Sequence, residues 1–185
     1  EYEETIDLTF KSDTIPGMQA WYDAGNTGSS LANGAVIENW NDTSGYGRDM
    51  GFTSGNPRYY NSGLKGKPIV SFDGDDLIWT SHDFNHLSET GYSMISLSRY
   101  TGTRNQRVIS SRNRNFLFGY EGALTGRWHA EGWISTAGPL DTQWHIHLGV
   151  IDKMNNPEAS FWRDGENLVS NNRGSGNNNF DPGQL

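Results

Sequence analysis

The 185-residue chain predicts an all-β fold from three observations. Glycine is abundant, at 23 residues, and aromatics reach 12% in a chain only 34% hydrophobic; this suits many short strands and turns better than long helices. Apolar residues recur with a period of two in run after run, and no helical period is sustained. Clusters of Gly, Asn, Asp, Ser and Pro separate these runs at a spacing of about 8–12 residues, the rhythm of a sandwich or barrel. The length fits one domain with a sizeable core and would cramp two.

Taken in order, Ile6, Leu8 and Phe10 alternate with polar neighbours and predict a leading strand in an extension over 1–14. The domain proper is expected over 15–185, opening at Ile15-Pro16-Gly17. A strand over MQAWYDA and another over VIENW follow, the second ending in the turn-rich NDTSGYGRDM. Pro57-Arg58-Tyr59-Tyr60 and Gly63-Leu64-Lys65-Gly66-Lys67-Pro68 bracket a further turn, after which IVSF runs into the acidic DGDD. GYSMISLSRY and QRVISS flank a basic loop, and NFLFGYEG continues the pattern. ASFWRDGENLV reads as a hairpin built on Asp164-Gly165, since Asp-Gly supplies the two positive φ angles that a tight hairpin turn requires.

The stretch from Gly126 to Ile151 carries the candidate site. GRWHAEGWIS and QWHIHLGVI read as two strands joined by a Gly/Pro turn, expected to pair in one sheet. Alternation places Trp128, Ala130 and Ile134 on one face and Arg127, His129, Glu131 and Trp133 on the other. In the second run Trp144, Ile146, Leu148 and Val150 form an apolar face, opposite Gln143, His145 and His147. Pairing would gather Arg127, His129, Glu131, Trp133, Gln143, His145 and His147 on one polar, aromatic surface, with Trp162 joining from the next hairpin. Such a surface offers a flat ring for the apolar face of a sugar and polar groups for its hydroxyls.

Other chemistries fit less well. The net charge of −8 opposes general nucleic-acid binding, which depends on clustered Lys and Arg. Between 99 and 127, however, Arg99, Arg104, Arg107, Arg112, Arg114 and Arg127 face a single acid, Glu121, and this segment could receive an acidic polysaccharide. With no cysteine there is neither a disulfide framework nor a thiolate metal site. No signal peptide opens the sequence and no apolar run is long enough to span a bilayer, so membrane insertion is not expected. His129, His145 and His147 with Glu131 could in principle ligate a metal, but solvent-facing or hydrogen-bonded strand residues account for them better. Asp73, Asp75 and Asp76 are candidate calcium ligands, although the spacing of a calcium loop with a distal Glu is absent. No cofactor is required.

The ordered series IPGMQAWYDA, VIENWNDTSGYGRDM, PRYY, GKPIVSFDGDDL, QWHIHLGVID and ASFWRDGENLV resembles the concanavalin A-like, laminin-G-like jelly-roll domains of bacterial and phage surface proteins, over about residues 15–185. The resemblance implies a two-sheet antiparallel jelly-roll sandwich whose concave face binds glycan, on an extracellular, cell or virion surface. Domains of that kind continue past the position of Leu185, so C-terminal strands are expected to be missing here. A homo-oligomer or a strand-donating partner chain would then complete the sheets. Hydrolases of this fold class carry a Glu-x-Asp-x-x-Glu strand, which is absent. Lyases on a similar fold use Gln-x-His with Arg and Tyr, a pattern that Gln143-Trp144-His145 matches superficially. The expected function is a non-catalytic carbohydrate-binding or adhesion module, with a structural or assembly protein (capsid decoration or fibre component) as the alternative and a polysaccharide lyase third.

Overall fold

The computed structural model describes residues 15–27, 30–102, 107–122, 124–130, 132–135, 138, 139, 141–154, 159–169 and 180–185. The predicted leading strand over Ile6, Leu8 and Phe10 lies outside them, as do Glu131 and Arg104. The all-β expectation holds: twelve strands and one four-residue helix make up the regular structure among the described residues. The chain divides into two compact units, one ending at Thr80 and the other running from Ser81 to Leu185.

In the first unit, β1 (Phe52–Ser54) pairs with β4 (Leu77–Trp79), and β2 (Arg58–Leu64) pairs with β3 (Lys67–Ser71), both antiparallel. Phe52 and Trp79 stack across the first pair at 5.8 Å. Lys65 and Gly66, both at positive φ, make the tight turn of the second. MQAWYDA and VIENW are not full strands but contribute isolated bridges, Tyr22 to Asp42 and Trp40 to Met50. The reason is Asp42. Its carboxylate accepts from the Trp21, Ser44 and Arg48 amides at 2.9, 2.9 and 3.0 Å and from the Ser44 hydroxyl at 2.7 Å, so side chain replaces ladder in holding the backbone. Burial opposes its charge, but these bonds outweigh that and hold the carboxyl below its ordinary range.

The second unit is a sandwich of two four-stranded antiparallel sheets. One has the order β6 (Ile109–Ser110), β7 (Phe116–Glu121), β8 (Leu124–Ala130), β9 (Trp133–Ser135). The other has the order β12 (Glu166–Val169), β11 (Ala159–Arg163), β10 (His145–Asp152), β5 (Gly91–Ser98). Helix α1 (Leu87–Thr90) leads into β5. Phe116, Phe118, Trp128, Ala130 and Ile134 from the first sheet meet Ile151, Ala159 and Phe161 from the second. Each large side chain fully buried there contributes about 1.5–3 kcal/mol. Phe118 meets both Trp128 and Phe161 edge-on, at 5.6 and 5.5 Å.

Residues 180–185 belong to this unit. Phe180 enters the core and accepts a hydrogen bond from the Tyr92 hydroxyl at 2.8 Å. Gly183 and Gln184 bond to Phe84, Asn85, Arg112 and Asn113, so the Asn-rich stretch ends in an anchored segment. Gly183 sits so close to Ser111 and Asn113 that a Cβ would collide with both.

Candidate ligand-binding face

The two runs expected to pair do not. GRWHAEGWIS folds on itself as the β8–β9 hairpin, closed by the Ala130 amide donating to Gly132 at 3.0 Å, while HIHLGVID becomes β10 in the opposite sheet between β5 and β11. The predicted common surface of Arg127, His129, Trp133, Gln143, His145, His147 and Trp162 is therefore corrected to separate places.

The first place is the outer face of β8 and β9. Trp128, Ala130 and Ile134 are buried as alternation requires, leaving Arg127, His129 and Trp133 together on the other side. The Arg127 guanidinium lies 3.7 Å above the Trp133 ring, a cation–π stack, and donates to Glu121 Oε2 at 3.2 Å. His129 approaches the same ring edge-on at 4.9 Å. Its Nδ1 donates to the Asn115 carbonyl at 2.8 Å, which fixes the ring. Glu121 and Asn115, absent from the sequence expectation, thus fix the group. The antiparallel partnership of β7 with β8 brings them in, and no sequence spacing announces it.

At the second place, the histidines of β10 face the core. His147 is fully buried, ring-stacked on Phe161 at 5.8 Å and edge-on to Tyr120 at 5.2 Å, with Thr125 Oγ1 3.4 Å from its Nε2. Burial first, and then the His145 charge, push its pKa down to about 4, so the ring is neutral. His145 stands at the sandwich end between two carboxylates: Nδ1 is 2.6 Å from Asp164 Oδ2, and Nε2 is 2.9 Å from Asp141 Oδ1. Burial works against its charge, but the bonds and charges of Asp164 and Asp141 prevail and raise its pKa. Both nitrogens donate, so His145 is an imidazolium tying the loop before β10 to the β11–β12 turn. It retains no lone pair for taking a proton or a metal. Asp164 gives a second bond by accepting from the Ile146 amide at 2.9 Å. Tyr120 donates to the Ser98 carbonyl at 2.9 Å, and burial pushes its pKa up to about 12.

The third place is the outer face of the second sheet, where Trp162 pairs with Leu148. Gln143 lies exposed in the loop before β10. Of the described arginines, Arg99 lies over Trp144 at 5.1 Å, the Arg112 amide donates to the Gln184 carbonyl, and Arg114 is 3.8 Å from Asp181. In the first unit Asp73, Asp75 and Asp76 bring carboxylate oxygens within 4.8 Å of one another. Asp76 accepts from the Asn56 and Asp73 amides, which already accounts for its position in the turn. The hydrogen bond and then the charge of Asp73 raise the Asp75 pKa. Among the described residues, no helix is long and apolar enough to cross a membrane.

No protein family, curated protein or solved structure matches this chain.

Proposed function

We propose that the chain is a non-catalytic carbohydrate-binding or adhesion module of jelly-roll type, acting outside the cell or on a virion surface. The glycan is taken on the outer face of β8–β9. The single observation that carries this reading is the fixed Arg127–Trp133–His129 group: an aromatic ring held by stacking and edge contacts beside a cation and an imidazole. A sugar presents an apolar face and a rim of hydroxyls, and preorganised partners for both lower the entropic cost of binding. Arg127 favours an acidic polysaccharide, with Glu121 orienting its guanidinium. What speaks for binding without catalysis is the state of the histidines. The lyase reading needs His145 as a base, and both of its nitrogens are engaged by carboxylates.

The test is retention on immobilised glycans, neutral and uronate-containing. Trp133→Ala is expected to lose at least about tenfold in affinity while keeping the β-sheet circular dichroism spectrum. Arg127→Gln should weaken uronate binding selectively and reduce its salt dependence. A folded wild-type chain that retains no glycan, or one whose retention survives Trp133→Ala, sinks the proposal.

A further inference from the structure

Residues 180–185 sit in the second unit in the way a bound peptide sits on its receptor. In sequence they follow the stretch 170–179, SNNRGSGNNN, which has no apolar side chain. The character changes at Phe180. Phe180, Pro182 and Gly183 are buried, and Phe180 and Leu185 both pack against the core. Between these two apolar anchors the backbone is bonded at several points. The Phe180 carbonyl accepts from the Tyr92 hydroxyl at 2.8 Å. The Gly183 amide donates to Asn85 Oδ1 at 3.1 Å, and its carbonyl accepts from the Phe84 amide at 2.9 Å. The Gln184 amide donates to Asn113 Oδ1 at 2.9 Å, its carbonyl accepts from the Arg112 amide at 2.9 Å, and its side chain donates to the Ser81 carbonyl at 3.2 Å.

These hydrogen-bond partners come from residues 81–85, from β5 and from the connection between β6 and β7, at sequence separations of 71 to 103 residues. Main-chain bonds attract any peptide of the right shape, and pockets for particular side chains select the sequence. Three selecting features are built here. Phe180 is fully enclosed in the core. Gly183 has φ of +66° and its missing Cβ would collide with Ser111, Asn113 and Arg114, so only glycine fits. Pro182 restricts the backbone before docking, which lowers the entropic cost of the bound form. Asp181, 3.8 Å from a half-exposed Arg114, adds little. We infer that residues 81–85, β5 and the β6–β7 connection form a peptide-recognition site for a segment of the pattern Phe-x-Pro-Gly-Gln. This site holds 180–185 by non-covalent contacts alone, so a chain cut within 170–179 stays together as one molecule. The covalent connection contributes effective concentration, about millimolar for a short linker, and a free peptide competes only once that connection is cut.

The experiment places a specific protease site between Gly174 and Ser175 of the full chain and cuts it after folding. The fragment beginning at Ser175 is expected to co-elute with the rest on gel filtration in native buffer and to separate in concentrated urea. A labelled synthetic peptide of residues 180–185, added in excess, should then exchange into the cut chain and not into the uncut one. The same peptide carrying Phe180→Ala or Gly183→Ala should compete at least about tenfold less well, and a scrambled peptide should not compete. Loss of the fragment on cutting overturns the proposal, whether the remainder stays folded or unfolds. Exchange that is indifferent to both substitutions also overturns it, because the site would then not read the sequence.

Discussion

Two strands of the second unit carry nearly the same alternation and use it in opposite senses. In Arg127-Trp128-His129-Ala130 of β8 the apolar residues face inward and the imidazole outward. In His145-Ile146-His147-Leu148 of β10 the imidazoles face inward and Ile146 stands half exposed. The difference comes from what lies across the sandwich. Gly149 shares the inward face with His147, and a Cβ there would come within 2.7 Å of Phe118 and 2.9 Å of Trp128. The Phe118–Trp128–Phe161 group needs a position without a side chain opposite it, and Gly149 provides one. A shift of one residue would point Leu148 or Val150 into that space. The bulk on β8 thus sets the parity of β10, and the histidines follow.

The strongest break of this comparison is substitution on the inward wall. Trp128→Ala is expected to cost about 3–5 kcal/mol and Gly149→Ala about 1–3 kcal/mol in urea unfolding, the first by cavity and the second by overpacking. Ile146→Thr, on the outward face of β10, should change the unfolding of the dilute chain by less than about 0.5 kcal/mol. Equal costs for Trp128→Ala and Ile146→Thr would refute the assignment of faces.

A smaller effect sharpens it through pH. His147 has a pKa pushed down to about 4 from the ordinary 6.5, so unfolding takes up a proton between those values and stability falls as pH drops through them. His145 is shifted the other way. Its contribution is fully present below 6.5 and is lost as pH rises through its raised value. Asp164, lowered by His145 and the Ile146 amide against the opposing effect of burial, adds stability that is lost only at more acid pH. Melting temperatures should therefore peak near the ordinary histidine value. His147→Gln should flatten the acid limb and His145→Gln the alkaline one; limbs unchanged by either variant would show that these rings do not occupy the stated environments.

The smallest effect concerns the acidic turn of the first unit, which contrasts with the clamp around His145 in being held by backbone amides. Since backbone amides already hold Asp76, chelator or millimolar calcium should move the melting temperature by less than about 1 °C. A larger, saturable rise with calcium would make Asp73, Asp75 and Asp76 ligands.

Much of the architecture was legible from local pattern. The all-β class, the Asp164-Gly165 hairpin and the burial of Trp128, Ala130 and Ile134 all follow from turn chemistry and a period of two, and these are local properties of the chain. Arg127, His129 and Trp133 were correctly placed on one face for the same reason. The grouping of these three with His145 and His147 failed at a single step, the partner of β10. Alternation states that a strand has two unlike faces; it does not say which is inside or which strand lies alongside.

Those decisions belonged to tertiary structure, because they rest on contacts between residues distant in sequence. Glu121 reaches Arg127 only through the β7–β8 pairing, and Asp141 and Asp164 enclose His145 only when two loops close over one strand end. Gly149 sets the parity of β10 because Phe118 and Trp128 come from another sheet. Residue order on its own dictated that polar and apolar groups would separate. The aromatic bulk across the sandwich dictated that, in β10, the polar side would be the one enclosed.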